Sequence, residues 1–363
     1  MRIGVIGCGV IGKLHAKTVQ ALAPRAELAV VVDSFAEKAN ELAREVGVEA
    51  ATSFEEVLRR DDIDAVTVCT PSGQHADVAV AALEAGKHVI IEKPIDITLD
   101  AARRIIDAEQ RSDATAMVVS QRRHDKAAQI VREAVTTGMF GRVTSGSAQM
   151  SWWRSQAYYD SGEWRGTWAL DGGGALMNQG IHTIDLLVWF LGEPVEVFAW
   201  ADCLAHERIE VEDIAVATVR FASGALGTIH GTTAAYPGLS AQVGVYGDRG
   251  SAVIDNAKLS YFHAAQDDAE EYAYGAGGSA NQAEVVMASA DDEEGEKTAD
   301  GQTIAGLQAT SHTKQFEDFL DAVEKGRQPL VTVHEATRTL SVIRGIYESA
   351  RTGRVVRLEE LTS

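Results

Sequence analysis

The sequence predicts an α/β protein: an N-terminal, doubly wound parallel sheet followed by a C-terminal α+β domain with a predominantly antiparallel sheet. In the first third of the chain, short apolar strands alternate with helices across short connections, the pattern of a parallel sheet. From about Gly141 the strands become longer and hairpin turns join them, which indicates antiparallel pairing. The length of 363 residues exceeds one ordinary core. We therefore expect two domains, residues 1–122 and 123–363.

The N-terminal elements follow one another as apolar runs and helical stretches. Arg2–Ile6 is a strand, a glycine-rich turn leads into a helix that continues to Ala21, and Leu28–Val32 is a second strand. The later elements are the strand Ala65–Cys69, the helix Gln74–Glu84, the strand Lys87–Ile91, the helix Leu99–Gln110 and the strand Ala116–Ser120. A doubly wound sheet of this kind binds its ligand at the carboxyl ends of the strands.

The turn after the first strand has the pattern Gly7-x-Gly9-x-x-Gly12. Such a pattern is weak evidence alone, but here a strand precedes it, a helix and a second strand follow, and an acid ends that strand. Glycines allow the tight turn and let backbone amides approach a pyrophosphate at the positive end of the helix. We therefore predict a dinucleotide site that includes Val10 and Ile11 beside the glycines.

The acid at the end of the second strand, Asp33, indicates which dinucleotide is bound. Its carboxylate suits a ribose 2′-hydroxyl and would repel a 2′-phosphate. Ser34 follows where an NADP site would place an arginine, although Lys38 lies about one turn away and could soften this preference. The residues favour NAD over NADP.

The second domain is expected to contain a strong amphipathic helix and several hairpins. Its elements are the helix Ala175–Leu191, the strands Ala215–Phe221, Leu226–Thr233, Val243–Tyr246 and Ser251–Asp255, the helices Thr310–Glu324 and His334–Arg351, and a short strand Val355–Leu358. Residues 264–305 are rich in Ala, Gly, Asp and Glu and include Asp291-Asp292-Glu293-Glu294. A calcium or partner site is conceivable there, but we expect a solvated acidic loop, because the ligand spacing is absent.

Composition excludes several classes of function. A net charge of −20 repels nucleic acid and anionic membranes. No apolar run reaches the length of a membrane span, and the chain enters a strand at once, so we expect neither an anchor nor a signal peptide. The cysteines Cys8, Cys69 and Cys203 lack metal-ligand spacing, and no metal site is predicted. These features are typical of a cytoplasmic enzyme.

Two polar segments follow strands at the expected ligand-binding edge. Thr70-Pro71-Ser72-Gly73-Gln74-His75 would line the nicotinamide, although Ser72 could equally cap a helix, and His75 could cap rather than touch the cofactor. Glu92-Lys93-Pro94 places a lysine at the end of a buried strand, where desolvation and a nearby cation would lower its pKa toward neutrality. The alternative is a lysine that pairs with Glu92 and reaches solvent.

A third segment starts the amphipathic helix. Three glycines, Gly172–Gly174, precede Asn178 and His182, which share a helical face because they are four residues apart. Asp185 follows three residues later. An imidazole beside an amide and a carboxylate suits acid–base work and hydroxyl recognition. The alternative is a histidine satisfied within the core.

Together these motifs, in this order and spacing, resemble the Gfo/Idh/MocA oxidoreductases, and the resemblance covers nearly the whole chain. It implies an N-terminal Rossmann domain and a large open C-terminal sheet that often mediates oligomers, here a homodimer or homotetramer. The family's catalytic residues would be Lys93 and His182. Many inositol-dehydrogenase-like members have Asp where this chain has Asn178, so we assign the amide to a substrate hydroxyl. Gln121, Arg122 and His124 lie in a segment that resembles one reaching cofactor and substrate.

Four of the six tryptophans lie between Trp152 and Trp168. Aromatic faces and arginines can form a carbohydrate pocket, and the candidates are Trp153, Arg154, Tyr159 and Arg165, with His312 and Tyr236 as weaker ones. The alternative is an aromatic seam between domains or subunits.

The resulting hypothesis is an NAD-dependent dehydrogenase that oxidises a secondary hydroxyl of a cyclic polyol or sugar, such as an inositol, an aldopyranose or an anhydrosugar. The hydroxyl would lie between Lys93 and His182. Two alternatives stay open: an NAD-dependent glycosidase that uses transient oxidation, and a redox-inert sensor that only binds NAD.

Overall fold

The computed structural model describes residues 1–265, 281–289 and 301–362. These residues form two compact units. The first comprises Met1–Gln121, Thr167–Gly172 and residues 301–340, and the second comprises Arg122–Gly166, residues 173–265 and 281–289, and residues 341–362. The acidic run Asp291-Asp292-Glu293-Glu294 lies outside the described residues. None of the helices in the described ranges is long and apolar enough to cross a membrane.

The first unit contains a parallel sheet of six strands in the order β3-β2-β1-β4-β5-β6. The strands are β1 (Arg2–Ile6), β2 (Glu27–Val32), β3 (Glu49–Ala51), β4 (Ala65–Val68), β5 (His88–Ile91) and β6 (Ala116–Val118). This order is that of a dinucleotide-binding doubly wound sheet, in which the strand order reverses between β1 and β4. The predicted Rossmann architecture is confirmed. The sequence did not predict β3, because three residues are too short for a periodic pattern.

Helices cover both faces of this sheet, which is why its central strands are apolar throughout. The helices of the unit are α1 (Val10–Ala21), α2 (Ala36–Val46), α3 (Phe54–Leu58), α4 (His75–Glu84), α5 (Leu99–Gln110) and, later in the chain, α10 (Gly301–Lys325). All four residues of β4 are buried. Phe316, Phe319 and Leu320 of α10 are fully buried in the same core as Ile3 and Val5 of β1. A helix from late in the sequence therefore completes the core of the N-terminal sheet.

The glycine turn between β1 and α1 is held by a close backbone approach. A Cβ atom added at Gly12 would lie 1.8 Å from the carbonyl oxygen of Gly7, and one at Gly7 would lie 2.4 Å from that of Cys69. Gly7 also has φ +100°, which disfavours any residue with a side chain. The turn requires glycine at both positions and brings the first turn of α1 directly onto the sheet edge.

The second unit contains a mixed, mostly antiparallel sheet of eight strands in the order β13-β12-β11-β7-β10-β9-β8-β14. Among the strand pairs of the described residues in this unit, β7 and β10 alone are parallel. The strands are β7 (Val143–Ser151), β8 (Pro194–Asp202), β9 (Ile214–Phe221), β10 (Leu226–Thr232), β11 (Ala241–Gly247), β12 (Gly250–Asp255), β13 (Lys258–Ala264) and β14 (Val356–Arg357). The predicted α+β domain with a predominantly antiparallel sheet is confirmed.

One face of this sheet is buried and the other is exposed. Along β9, every second side chain from Ala215 to Phe221 is buried, whereas Val216, Thr218 and Arg220 are exposed. The remaining helices of the chain are α6 (Lys126–Thr136), α7 (Gln156–Tyr159), α8 (Ile181–Leu191), α9 (Ala283–Ser289) and α11 (Val333–Thr352). Of these, α8 packs against β7 and β11. The alternation of β9 therefore marks a half-buried sheet.

The predicted amphipathic helix differs from a regular α-helix over its first half. Ala175–Gly180 forms a π-helix, and α8 begins only at Ile181. Gly174, just before it, packs so closely that a Cβ atom would lie 1.8 Å from the carbonyl oxygen of Glu212. Glycine at this position therefore permits the close backbone approach.

Glu212 supplies the acceptors for the start of this π-helix. Its carboxylate accepts hydrogen bonds from the backbone N–H groups of Gly174 and Leu176, both at 2.9 Å, and its carbonyl oxygen accepts that of Ala175 at 3.1 Å. The Tyr347 hydroxyl donates to the same carboxylate at 3.0 Å. Burial outweighs these hydrogen bonds and raises the pKa of Glu212 to about 7.

The raised pKa predicts a pH-dependent contribution of Glu212 to stability. Between the ordinary pKa of 4.5 and about 7 the folded state retains a proton that the unfolded chain has released, so stability falls as pH rises through this window. The Glu212→Gln substitution removes that slope. Relative to wild type, its free energy of unfolding should rise by about 3 kcal/mol between pH 4.5 and pH 8, measured by urea denaturation.

The control is Glu41→Gln, which changes an exposed glutamate on α2. The free energy of unfolding of this variant should depend on pH in the same way as that of wild type. If Glu212→Gln and wild type differ by the same free energy at both pH values, the buried carboxyl does not titrate in this range.

Candidate active site

The glycine turn and the end of β2 form the first part of the candidate site. The Asp33 carboxylate accepts the backbone N–H of Cys8 through one oxygen and that of Phe35 through the other, both at 2.9 Å. Each carboxylate oxygen retains a lone pair after these bonds. The acid is thus fixed beside the glycine turn and can still accept a hydroxyl, which fits the predicted contact with a ribose.

Several exposed residues around this turn are apolar. Val10 is 87% exposed and Phe35 65% exposed, and Ile11 is also exposed. The Lys38 ammonium lies 4.8 Å from the centre of the Phe35 ring, and Ser34 is exposed. The space beside Gly9 is open, because a Cβ atom added there would meet nothing within 4 Å. An exposed apolar rim around fixed amides suits a planar, partly apolar ligand such as a nucleoside.

Two buried polar atoms lie near the carboxyl ends of β4 and β6. Among the described residues, Thr70 Oγ1 and Gln121 Oε1 have no hydrogen-bond partner. Buried polar groups are nearly always paired in a complete structure, so these two atoms indicate a polar ligand group at this edge of the sheet. With the glycine turn and Asp33, they fit a nicotinamide dinucleotide, which the first unit would hold through these residues.

His75 joins two segments at this edge. It is buried at the start of α4, and its ring nitrogens lie 2.9 Å from the Thr70 carbonyl oxygen and 2.8 Å from the Pro94 carbonyl oxygen. Pro71 is exposed, and Ser72 begins a short 3-10 helix, Ser72–Gln74, without a capping side-chain bond to α4. His75 therefore contributes by tying the Thr70 and Pro94 segments together.

Lys93 follows β5 and is held by the residue before it. One oxygen of Glu92 accepts the backbone N–H of Lys93 at 3.0 Å. The other lies 2.9 Å from Nε2 of His15, a fully buried residue of α1. The buried Glu92 carboxylate thus links α1 to the backbone of Lys93.

The charges of this buried pair follow from its contacts. Burial opposes the charge on His15, but the neighbouring Cys69 sulfur and the Glu92 carboxylate outweigh it and raise the pKa of His15. Burial likewise opposes the charge on Glu92, but His15, with His312 and Lys93, lowers the pKa of this carboxyl. The pair is therefore an imidazolium and a carboxylate at neutral pH.

The same cluster contains atoms that could ligate a metal ion. Ligand atoms of His15, Glu92 and His312, all buried, lie within 4.8 Å of one another. The second nitrogen of His15 lies 2.5 Å from Thr67 Oγ1 and 3.2 Å from Cys69 Sγ. Because the carboxylate already accepts the His15 and Lys93 N–H groups, the arrangement is complete as a hydrogen-bonded ion pair.

In the second unit, Asn178 lies in the π-helix and His182 in the first turn of α8. Asp185, which the sequence analysis placed beside His182 for acid–base work, instead pairs with Arg123. The buried guanidinium binds both carboxylate oxygens, at 2.8 and 2.7 Å. This carboxylate is therefore held in a buried ion pair, and a role for Asp185 beside His182 stays a prediction.

The aromatic segment forms a polar network that reaches Asn178. Arg154 donates to Gln179 Oε1 at 2.7 Å, and the Gln179 amide donates to Asn178 Oδ1 at 3.0 Å and to the Tyr158 hydroxyl at 2.9 Å. Arg165 donates to the same hydroxyl at 2.7 Å. Both predicted arginines thus lie in one network with Asn178.

Two other predicted substrate residues, Tyr159 and Trp153, contact neighbouring side chains of the same unit. Tyr159 is buried, its hydroxyl lies 2.7 Å from Thr233 Oγ1, and burial raises its pKa to about 12. The half-buried Trp153 packs edge-to-face on the exposed Tyr236 at 5.4 Å. Tyr159 is therefore part of the buried core of this unit.

The remaining candidates lie in the 3-10 helix Gln121–His124 and in α10. Arg122 pairs with Asp125 at 3.2 Å, and His124 is half-buried next to it. His312 is buried beside His15, with ring centres 5.9 Å apart. Sequence reasoning missed His15 and Glu212. His15 lies on the buried face of α1, and Glu212 precedes a strand in which burial alternates. The role of each residue depends on partners far away in the chain, which the local sequence does not show.

Comparisons with known proteins agree with this geometry. The model of the oxidoreductase family with an NAD-binding Rossmann fold matches residues 1–120, and that of the GFO/IDH/MocA C-terminal domain matches residues 128–253. The myo-inositol 2-dehydrogenase of Thermotoga maritima is 32% identical over 268 residues, which cover 71% of this chain and 76% of that protein. The levoglucosan dehydrogenase of Pseudarthrobacter phenanthrenivorans is 30% identical over 65% of this chain and 68% of that protein.

Among solved structures, the WlbA dehydrogenase from Bordetella pertussis in complex with NADH and UDP-GlcNAcA is similar over almost its whole length. The TM-score is 0.85 at 28% identity, with 98% of this chain and 97% of that chain covered. The family models together match more than half of the chain. The chain therefore belongs to the Gfo/Idh/MocA family of NAD-dependent oxidoreductases.

Proposed function

We propose that this NAD-dependent oxidoreductase oxidises a secondary hydroxyl of a cyclic polyol or sugar. The observation that carries the proposal is the position of Lys93. It follows β5 at the carboxyl edge of the sheet, and its backbone is fixed by the buried Glu92–His15 ion pair. A lysine held at this edge, beside buried polar atoms that await a ligand, is well suited to proton exchange with a substrate hydroxyl.

The proposed proton transfer uses Lys93 and His182. Lys93 would take the hydroxyl proton, and His182 would hydrogen-bond the same oxygen or share the proton. Asn178 would orient the substrate through a neighbouring hydroxyl. When bound, NAD⁺ accepts the hydride that leaves the carbinol carbon. The protein's contribution is thus to bind, orient and remove a proton.

The names of the relatives support a small cyclic substrate. They include dehydrogenases of myo-inositol and of levoglucosan. The composition also supports a cytoplasmic location, which we propose. No residue of the site favours the glycosidase or the redox-inert sensor over the dehydrogenase, and formation of NADH from a polyol without sugar release separates all three.

We also propose that a second copy of this chain covers the exposed face of the second unit's sheet. The face is defined by Phe198, Trp200, Val216, Thr218, Leu226 and Thr228, which the strand registers place side by side. Trp200 is 69% exposed directly opposite Val216, and the Phe198 ring meets it edge-to-face at 4.7 Å. The charged residues Arg220 and Glu196 at the edge of this face form an ion pair with each other. Exposed apolar residues on a face of a protein of net charge −20 support its burial in a homo-oligomer.

Substitution of the two proposed catalytic residues tests the reaction. NAD⁺ reduction is first screened over inositols, aldoses, anhydrosugars, glycosides and sugar acids. With the best substrate, Lys93→Met and His182→Asn should each lower kcat by at least about 100-fold, because each removes a proton-transfer group. NADH affinity, measured by fluorescence, should stay within about threefold, because neither substitution alters the glycine turn.

The matched controls are Lys17→Met on α1 and His334→Asn on α11, both exposed. They should leave kcat unchanged. Near-wild-type turnover in Lys93→Met would rule out the assignment.

Substitution on the exposed sheet face tests the oligomer. Trp200→Arg places a charge at the centre of the face and should convert the oligomer to monomers in sedimentation velocity, because a buried unpaired charge is costly. The control is Leu204→Arg, at a residue that is 71% exposed but lies outside the strands. A monomeric wild-type chain would contradict the proposal.

A further inference from the structure

Two arginines of the second unit contact the same aromatic ring and have no acidic partner among the described residues. The guanidinium carbons of Arg154 and Arg165 lie 5.4 Å and 4.4 Å from the centre of the same ring, that of Tyr158. Both arginines are half-buried. Among the described residues, no carboxylate lies within 4 Å of either guanidinium. The aromatic rings attract both guanidinium groups, but no negative charge of the described residues balances them, so an anion bound here would be stabilised by both.

Several other arginines of this unit have a carboxylate partner. Arg123 binds both oxygens of Asp185, Arg122 pairs with Asp125, and even the exposed Arg208 pairs with Asp160. The chain has 53 acidic residues against 33 basic ones, so carboxylates are abundant. Arg154 and Arg165 are distinguished by lying at one ring, that of Tyr158, with no carboxylate of the described residues within 4 Å.

After the hydrogen bonds around Tyr158 are formed, the polar groups that remain without a partner are donors. Its oxygen accepts from Arg165 at 2.7 Å and from the Gln179 amide at 2.9 Å, so its own O–H proton must point to a different acceptor. Within the described part of the chain, that proton has no acceptor. Arg154 uses two of its five N–H groups, on the Trp153 carbonyl and on Gln179. The cluster thus presents N–H and O–H donors together with two positive charges.

This donor cluster is continuous with the proposed substrate site. Gln179, which joins Arg154 to Tyr158, also donates to Asn178 Oδ1 at 3.0 Å. Asn178 lies four residues before His182 in the chain. A group bound by the arginines would therefore belong to the same substrate whose hydroxyls meet Asn178.

We propose that the substrate bears an oxyanion, a carboxylate or a phosphate, and that Arg154, Arg165 and Tyr158 bind it. The inference rests on the proposed function and narrows its substrate class to acidic sugars. Guanidinium groups match the geometry of carboxylate and phosphate oxygens, and charge-assisted hydrogen bonds are about twice as strong as neutral ones. A neutral sugar would leave the two charges uncompensated.

The test compares matched neutral and acidic sugars as substrates with NAD⁺. The pairs are D-glucose with D-glucuronate and D-galactose with D-galacturonate, and D-glucose 6-phosphate distinguishes phosphate from carboxylate. At least one acidic sugar should exceed its neutral partner in kcat/KM by about 30-fold or more, the range of a charged hydrogen-bonded contact. Equal values within every pair, or preference for the neutral partner, would overturn the inference.

Variants assign that preference to the arginines. Arg165→Met and Arg154→Met should each lower kcat/KM for the acidic sugar by at least about tenfold more than for its neutral partner, whereas Arg165→Lys, which keeps the charge, should retain part of the preference. Arg208→Met is the matched control, because it removes an exposed positive charge of the same unit. An equal loss for acidic and neutral sugars in both Met variants would show a structural role and overturn the inference.

Calorimetry with the NADH complex separates this inference from the proposed function. The probes are the same two uronates and D-glucose 6-phosphate. If an anion binds and Arg165→Met abolishes binding while no sugar reduces NAD⁺, the oxyanion site stands and the proposed reaction fails. If a neutral sugar is oxidised and none of the anions binds, the reaction stands and the oxyanion site fails.

Discussion

The buried ion pair between His15 and Glu92 is the interaction on which the rest of the candidate site depends. It joins α1, which starts at the dinucleotide-binding turn, to the residue that fixes Lys93. Neither side chain can be lost alone without leaving an uncompensated buried charge, which typically costs about 3–5 kcal/mol. The cofactor turn and the proposed catalytic lysine are therefore positioned by one contact.

Acids that accept backbone N–H groups recur at the other candidate segments. Asp33 holds the glycine turn through the N–H groups of Cys8 and Phe35. Glu212 holds the start of the π-helix that contains Asn178. In each case a carboxylate takes donors that a regular helix or strand would leave unpaired. Arg154 and Arg165 are the reverse case, since their donors face no acid of the described chain.

Much of the fold and part of the site could be predicted from local patterns. The strands of the first sheet are apolar runs, and Gly7, Gly12 and Asp33 form a motif whose spacing reflects a local turn. Lys93 could be proposed from the sequence because it directly follows such a run, and its catalytic role stays a prediction. These features depend on residues close together in the chain, so the sequence pattern contains the necessary information.

The features that were missed depend on contacts between distant residues. His15 and Glu92 are 77 residues apart, and the π-helix at Ala175 depends on Glu212, which lies 36 residues after Leu176. Asp185 has the spacing of a histidine partner, but Arg123 competes for its carboxylate with a bidentate ion pair. Helical spacing shows which residues share a face and does not show which partner takes the side chain.

The most direct test of this account is the rate of hydride transfer in a single turnover, measured with saturating NAD⁺ for wild type, His15→Leu and His15→Gln. We expect His15→Leu to slow this step by about 10- to 100-fold, because a small displacement of Lys93 is costly. His15→Gln, which restores a donor to Glu92, should recover most of the rate, and the dissociation constant of NAD⁺ should stay within about threefold throughout. An unchanged hydride-transfer rate in His15→Leu, or a loss confined to NAD⁺ affinity, would contradict the account.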